Sequence, residues 1–148
     1  SMCWPDDTRA IPTDNTMATS IQQYYYRSFV VIVNETRFAQ PTGNFSEKTF
    51  HAMKYGKPFI LVAPPYTLRY LREQGFKTFN DFWDESYDEI EDHTQRLLAI
   101  FKIIDFINEQ SMEELYEMYD KMRLIIDYNF KTLVNYTFDK AIQGMPKQ

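Results

Sequence analysis

The chain has 148 residues, one cysteine, four glycines and a formal net charge of −5, from 16 Lys and Arg against 21 Asp and Glu. That length suits one domain with a sizeable core, and the acidic balance argues against a nucleic-acid binder that relies on its whole surface. Gly43, Gly56, Gly75 and Gly144 are too scattered to write G-x-G-x-x-G or G-x-x-x-x-G-K-[ST], so a dinucleotide fingerprint and a P-loop are both excluded.

Cys3 alone makes no disulfide framework and no cysteine metal site. His51 and His93 stand far apart with no H-E-x-x-H pairing, so no metal is expected. No apolar run approaches the roughly 18 residues of a membrane span, and the polar, proline-containing N-terminus lacks a signal-peptide pattern. Ser1-Met2 reads as a tag remnant. The expectation is a soluble, cytoplasmic protein with neither nucleic acid nor membrane as partner.

Residues 1–20 read as an extended lead-in, with a short helix near Met17–Gln23. Tyr24-Tyr25-Tyr26 then enter a first strand whose core, Ser28–Val33, is nearly continuous apolar sequence, the pattern of a parallel strand buried on both faces. Gln40–Asn44 has turn chemistry. Ser46 fits the N-cap of a helix Glu47–Tyr55 that Gly56 stops, with Phe50 and Met53 or Ala52 facing inward. Lys57–Ala63 reads as a second buried strand, ended by Pro64-Pro65. A short helix over Thr67–Gln74 closes at Gly75, and Phe76–Phe79 alternates like a third strand. Strand, helix, strand, helix, strand is the α/β pattern with a parallel sheet.

The second half differs. Asp84–Asp92 holds six acidic residues in nine, either a solvated helix entrance or a set of oxygen ligands for a hard cation. Phe82 and Trp83 read as core anchors. The helix His93–Glu109 is apolar around most of its circumference and is expected to be buried on more than one side. Ser111-Met-Glu-Glu114 is a capping box opening a helix to about Tyr136, with Leu115, Tyr119, Met122, Ile126, Phe130 and Leu133 on one face. The whole reads as one domain over 1–148: lead-in 1–20, α/β core 24–92 and helical part 93–140.

Ligands of an open parallel sheet collect beyond the carboxyl ends of its strands. Glu35 lies just past the first strand, and Ser46, Glu47 and Lys48 open the helix after it. Free N–H groups and the helix dipole suit an anion there without a glycine loop, and Lys48 adds a point charge for phosphate. Glu47 would repel phosphate but could accept hydrogen bonds from paired sugar hydroxyls. The same residues also make an ordinary capped helix start, with Glu favoured by the dipole and Glu35 merely solvated. No Ser/His/Asp or Cys/His set assembles from two histidines and one cysteine.

Val33-Asn-Glu-Thr36, Phe45-Ser-Glu-Lys-Thr-Phe50 and Lys57-Pro-Phe-Ile-Leu-Val62 together resemble the donor-binding half of the alpha-1,3-fucosyltransferases. That family has a strand ending in F-E-N-[ST], a helix opening with T-E-K and a strand ending near V-P-[IV]. Continued through Gly75–Tyr87, the run is similar to virus-type glycosyltransferase-like proteins over most of Asn15–Asp92. The resemblance implies a small Rossmann-like sheet, half of a GT-B-type fold, followed by two C-terminal helices. It implies a nucleotide-sugar-binding domain of an inverting glycosyltransferase, with the nucleotide-sugar as substrate and no cofactor. Glu47 would take the ribose hydroxyls, Lys48 the diphosphate, and Glu35, as catalytic candidate, would lie near the donor sugar. Ser46 and Asn44 would complete the site; Asn44 stands where the family often has a base-stacking tyrosine. An acceptor-binding half would have to complete the enzyme. The other expectation is a non-catalytic assembly module that keeps such a fold and forms a homo-oligomer through its helices.

Overall fold

The computed structural model describes residues 23–35 and 47–144. The elements are β1 (Val31–Asn34), α1 (Glu47–Lys54), β2 (Phe59–Val62), α2 (Thr67–Glu73), a 3-10 turn (Ser86–Glu89), α3 (His93–Glu109) and α4 (Met112–Gln143). They form a small α/β domain around two parallel strands, with Val31 opposite Phe59 and Asn34 opposite Val62. Phe59, Ile60 and Leu61 are fully buried, as expected of a strand covered on both faces.

β1 departs from that expectation. It starts at Val31 rather than Ser28, and Ile32 is 49% exposed. Residues 23–27 are helical instead of leading into the strand. Ser28 closes that turn with its N–H and hydroxyl on the Tyr25 carbonyl, at 3.3 and 3.1 Å. Tyr25 stacks on Tyr55, ring centroids 4.8 Å apart. The aromatic run thus packs on the end of α1 and does not extend the sheet.

Both glycine stops hold. Gly56 and Gly75 have φ of 66° and 96°, a region L side chains rarely adopt. After α1, Gly56 N–H reaches Met53 O and Lys57 N–H reaches Ala52 O; after α2, Gly75 and Phe76 repeat the pattern on Arg72 and Leu71. These paired bonds satisfy carbonyls that a helix end leaves orphaned. α4 then seizes both turns. Tyr119 Oη donates to Gly56 O at 2.8 Å and Tyr128 Oη to Gly75 O at 2.9 Å.

The expected third strand is absent: residues 76–79 form no ladder. Their backbone is partnered by side chains instead. Asn129 of α4 accepts from Lys77 N–H at 2.8 Å and donates to Lys77 O at 2.9 Å, and Glu85 accepts from Phe79 N–H. Phe76 and Phe79 are still buried, so the alternation was real but served a side-chain-braced segment.

The helical half needs three corrections. α3 buries only Arg96, Ile100, Ile103 and Ile107, while Leu98, Phe101 and Phe106 are 40–53% exposed, so it is buried on one side. α4 runs to Gln143, past Tyr136. Its inner face carries Asn129 at 1% exposure where Phe130, at 46%, was expected. The capping box stands: Ser111 N–H to Glu114 Oε2 at 2.7 Å, and Glu114 N–H to Ser111 Oγ at 3.2 Å. Trp83 and Phe82 join the core as expected. No described helix is long and apolar enough to cross a membrane.

Candidate functional site

β1 and α1 meet at the carboxyl end of the sheet. Glu35 follows β1, and its N–H bonds Val62 O at 2.9 Å, which extends the ladder by one rung. Its side chain turns toward α1 and accepts from Thr49 Oγ1 at 2.7 Å; both residues are buried. The solvated reading of Glu35 is thereby corrected: the residue is 5% exposed and its carboxylate ties the first turn of α1 to the strand end. Lys48, one position earlier in α1, is exposed, and its ammonium lies 3.4 Å from Asn34 O. The fold therefore brings Glu35 and Lys48, 13 residues apart in sequence, to the same strand end. Glu47 begins α1, but its side chain, Ser46 and Asn44 lie outside the described residues.

Thr49 was missed in the sequence, although it sits three residues after the proposed cap and on the face that meets β1. The pairing is chemically apt. A helix start supplies N–H groups and partial positive charge. An exposed ammonium beside it adds a full charge, and a carboxylate that bonds within the protein is kept off the anion. Such a set can hold a phosphate and orient it.

The acidic segment has a different employment. Asp88 is buried and accepts from Leu68 N–H at 2.8 Å and Arg69 N–H at 3.0 Å, capping α2 from a distance in sequence. This cap lets Tyr66 hold φ of 65° at the helix entrance, with its N–H on Asp88 O. Asp92 caps α3 through Gln95 N–H at 2.8 Å. Asp84 accepts from Ser86, which lowers its pKa. Glu85 braces Phe79 N–H and the Arg72 guanidinium, yet burial pushes its pKa up to about 7. The buried Arg96 gathers the carbonyls of Ile90 and Glu91. Among the described residues no group of three or more His, Cys, Asp or Glu side chains could hold a metal ion. Neither reading of the segment is complete, because most of its carboxylates cap backbone.

His51 lies within α1, its ring edge-on to Tyr55 at 6.3 Å, and His93 Nδ1 is 3.2 Å from Arg96. Both are packing or bonding residues of their helices. Concave surfaces among the described residues lie elsewhere. One, of about 510 Å³, is walled by Trp83, Tyr87, Ile103 and Phe106. Another, of about 420 Å³, runs between β1 and α3, from Val30 and Ile32 to Ile104 and Ile107. No family model matches this chain, and no curated protein or solved structure matches it either.

Proposed function

We propose that the chain is the nucleotide-sugar-binding unit of an inverting glycosyltransferase, a Rossmann-like half of a GT-B-type fold that needs an acceptor-binding half for activity. One observation carries this reading: the start of α1, with exposed Lys48, adjoins the carboxyl end of β1, where Glu35 and Thr49 fix the helix in place. Lys48 and the α1 N–H groups would neutralise the diphosphate, and would stabilise it as leaving group during transfer. Glu47 would take the ribose hydroxyls, with Ser46 and Asn44 beside it. Glu35 acts in this scheme as a positioning residue near the donor sugar, because its carboxylate already holds Thr49. The resemblance to alpha-1,3-fucosyltransferases supports the choice of ligand class.

A thermal-shift panel of GDP-, UDP- and CMP-sugars tests it. Ligand at 100 times Kd stabilises by about 2.7 kcal/mol. No shift with any donor at millimolar concentration, in a folded sample, contradicts the proposal.

The second reading is an assembly module, favoured by the outer face of α4. Leu124 is 82% exposed, Val134 53% and Phe138 64%, large apolar side chains at the surface of one helix side. Sedimentation of wild type against Leu124→Lys tests it: association lost in the variant supports that face, and a strict monomer excludes it.

A further inference from the structure

Trp83 is the odd member of the core. The residue is 5% exposed and its ring packs on Phe79, centroids 5.7 Å apart, yet its indole N–H is buried and meets no acceptor among the described residues. An indole nitrogen can only donate, and a buried donor left unmet carries its full desolvation cost. Buried Tyr and Trp normally satisfy their polar end. Tyr87, four residues on, does so: its hydroxyl accepts from Leu61 N–H at 3.3 Å. Trp83 is also a wall of the cavity of about 510 Å³ between the 3-10 turn and α3. Phe82, Tyr87, Ile103 and Phe106 join it there, and the exposed Asp84 and Lys102 line the same cavity.

We propose that this cavity binds a small, flat, uncharged aromatic molecule whose ring carbonyl accepts from the Trp83 indole N–H. The walls set each of these attributes. Aromatic rings and Ile103 favour a flat apolar body. The exposed charges are one of each sign: Lys102, and Asp84, whose carboxylate already holds Ser86 N–H at 2.9 Å. Their formal charges cancel and select no ion, and an ion drawn in among the rings would lose its hydration without a partner. The unmet group is a donor, so the ligand brings an acceptor; the same ring without one leaves the indole unsatisfied. Because the N–H is closed to solvent, binding includes a shift of the indole or of the less buried walls Phe82 and Phe106. The cavity volume falls within the roughly 300–1,000 Å³ of small-molecule sites. Lys48 and the start of α1 line no part of it, so this site is independent of the nucleotide-sugar reading.

Indanone and indane, which differ only in that a methylene replaces the carbonyl, test this by NMR titration of isotope-labelled protein. The chain has two tryptophans, so Trp4→Phe leaves the Trp83 indole resonance alone in its region. The expected result is saturable binding of indanone, about 5-fold tighter than indane, with the indole proton moving downfield as its hydrogen bond forms. A purely apolar slot would rank the two the other way, because indane is the more hydrophobic. Trp83→Phe keeps a ring, removes the donor and should abolish the preference. If that variant misfolds, the indole shift and the ranking in the parent protein still decide. An equal or reversed ranking overturns the proposal, as does an indole resonance that stays in place while indanone binds. A preference that survives in folded Trp83→Phe overturns it too, and so does the absence of binding by either compound at near-millimolar concentration. Shifts centred on Val30, Ile32 and Ile104 would put the ligand in the groove beside β1 and overturn the site.

Discussion

Two charged regions of this molecule behave in opposite ways. In residues 84–92 the carboxylates of Asp84, Asp88 and Asp92 each accept from backbone N–H groups, and Glu85 braces Phe79. At the β1–α1 junction the carboxylate of Glu35 also turns inward, to Thr49, but the neighbouring ammonium of Lys48 stands at the surface beside a helix start. A dense acidic run in sequence is here a set of caps for helices and turns. A sparse pair of charges, placed where a strand ends and a helix begins, has one member buried and the other exposed. Density of charge in the sequence is therefore a poor guide to exposure; position relative to backbone ends decides which carboxylates become caps.

The sharpest way to break this contrast is to remove a cap. Asp88→Ala leaves two N–H groups of α2 without their partner and should destabilise by about 2–4 kcal/mol in urea titration, with nucleotide-sugar affinity unchanged. A loss of affinity without loss of stability would place a ligand in the acidic segment. Glu85 gives a pH signature. Its folded pKa, about 7, lies above the reference 4.5, so the folded state holds a proton that the unfolded state releases. Its contribution to stability is full below about 4.5 and is lost as pH rises toward 7. The whole change is about 3 kcal/mol by linkage. Unfolding of Glu85→Gln compared with wild type across that range should show the slope in wild type alone.

Asn129→Ala comes next, at about 1–3 kcal/mol, since it strips both backbone groups of Lys77. Its signature is faster amide exchange at Lys77, while β1 and β2 amides keep their protection. An unchanged Lys77 would show that the segment holds its shape without α4. The smallest stability effect should be that of Lys48→Ala, within about 0.5 kcal/mol because the side chain is exposed.

Much of this was legible in the sequence because it rests on local chemistry. Gly56 and Gly75 mark helix ends, Ser111 and Glu114 mark a helix start, and the run from Phe59 to Val62 marks a buried strand. What escaped depends on partners distant in the chain. Nothing near Phe76–Phe79 announces that Asn129, 52 residues beyond Lys77, takes the place of a strand neighbour. One polar position in the apolar face of α4 was the available signal, and Phe130 next to it drew the face one residue too far. Apolar content likewise overstated the burial of α3, since Leu98, Phe101 and Phe106 face outward. At the candidate site, the sequence placed Glu35 and Lys48 at the strand end; that Glu35 would bond Thr49 required the packing of α1 on β1.

The central claim, that Lys48 at the start of α1 holds a phosphate-bearing donor, is tested most directly by calorimetric titration of nucleotide-sugar into wild type and Lys48→Ala. A charged hydrogen bond of about 1.5–3 kcal/mol corresponds to roughly a 10- to 150-fold loss of affinity in the variant, with its unfolding midpoint unchanged. Equal affinity in the two proteins would contradict the account.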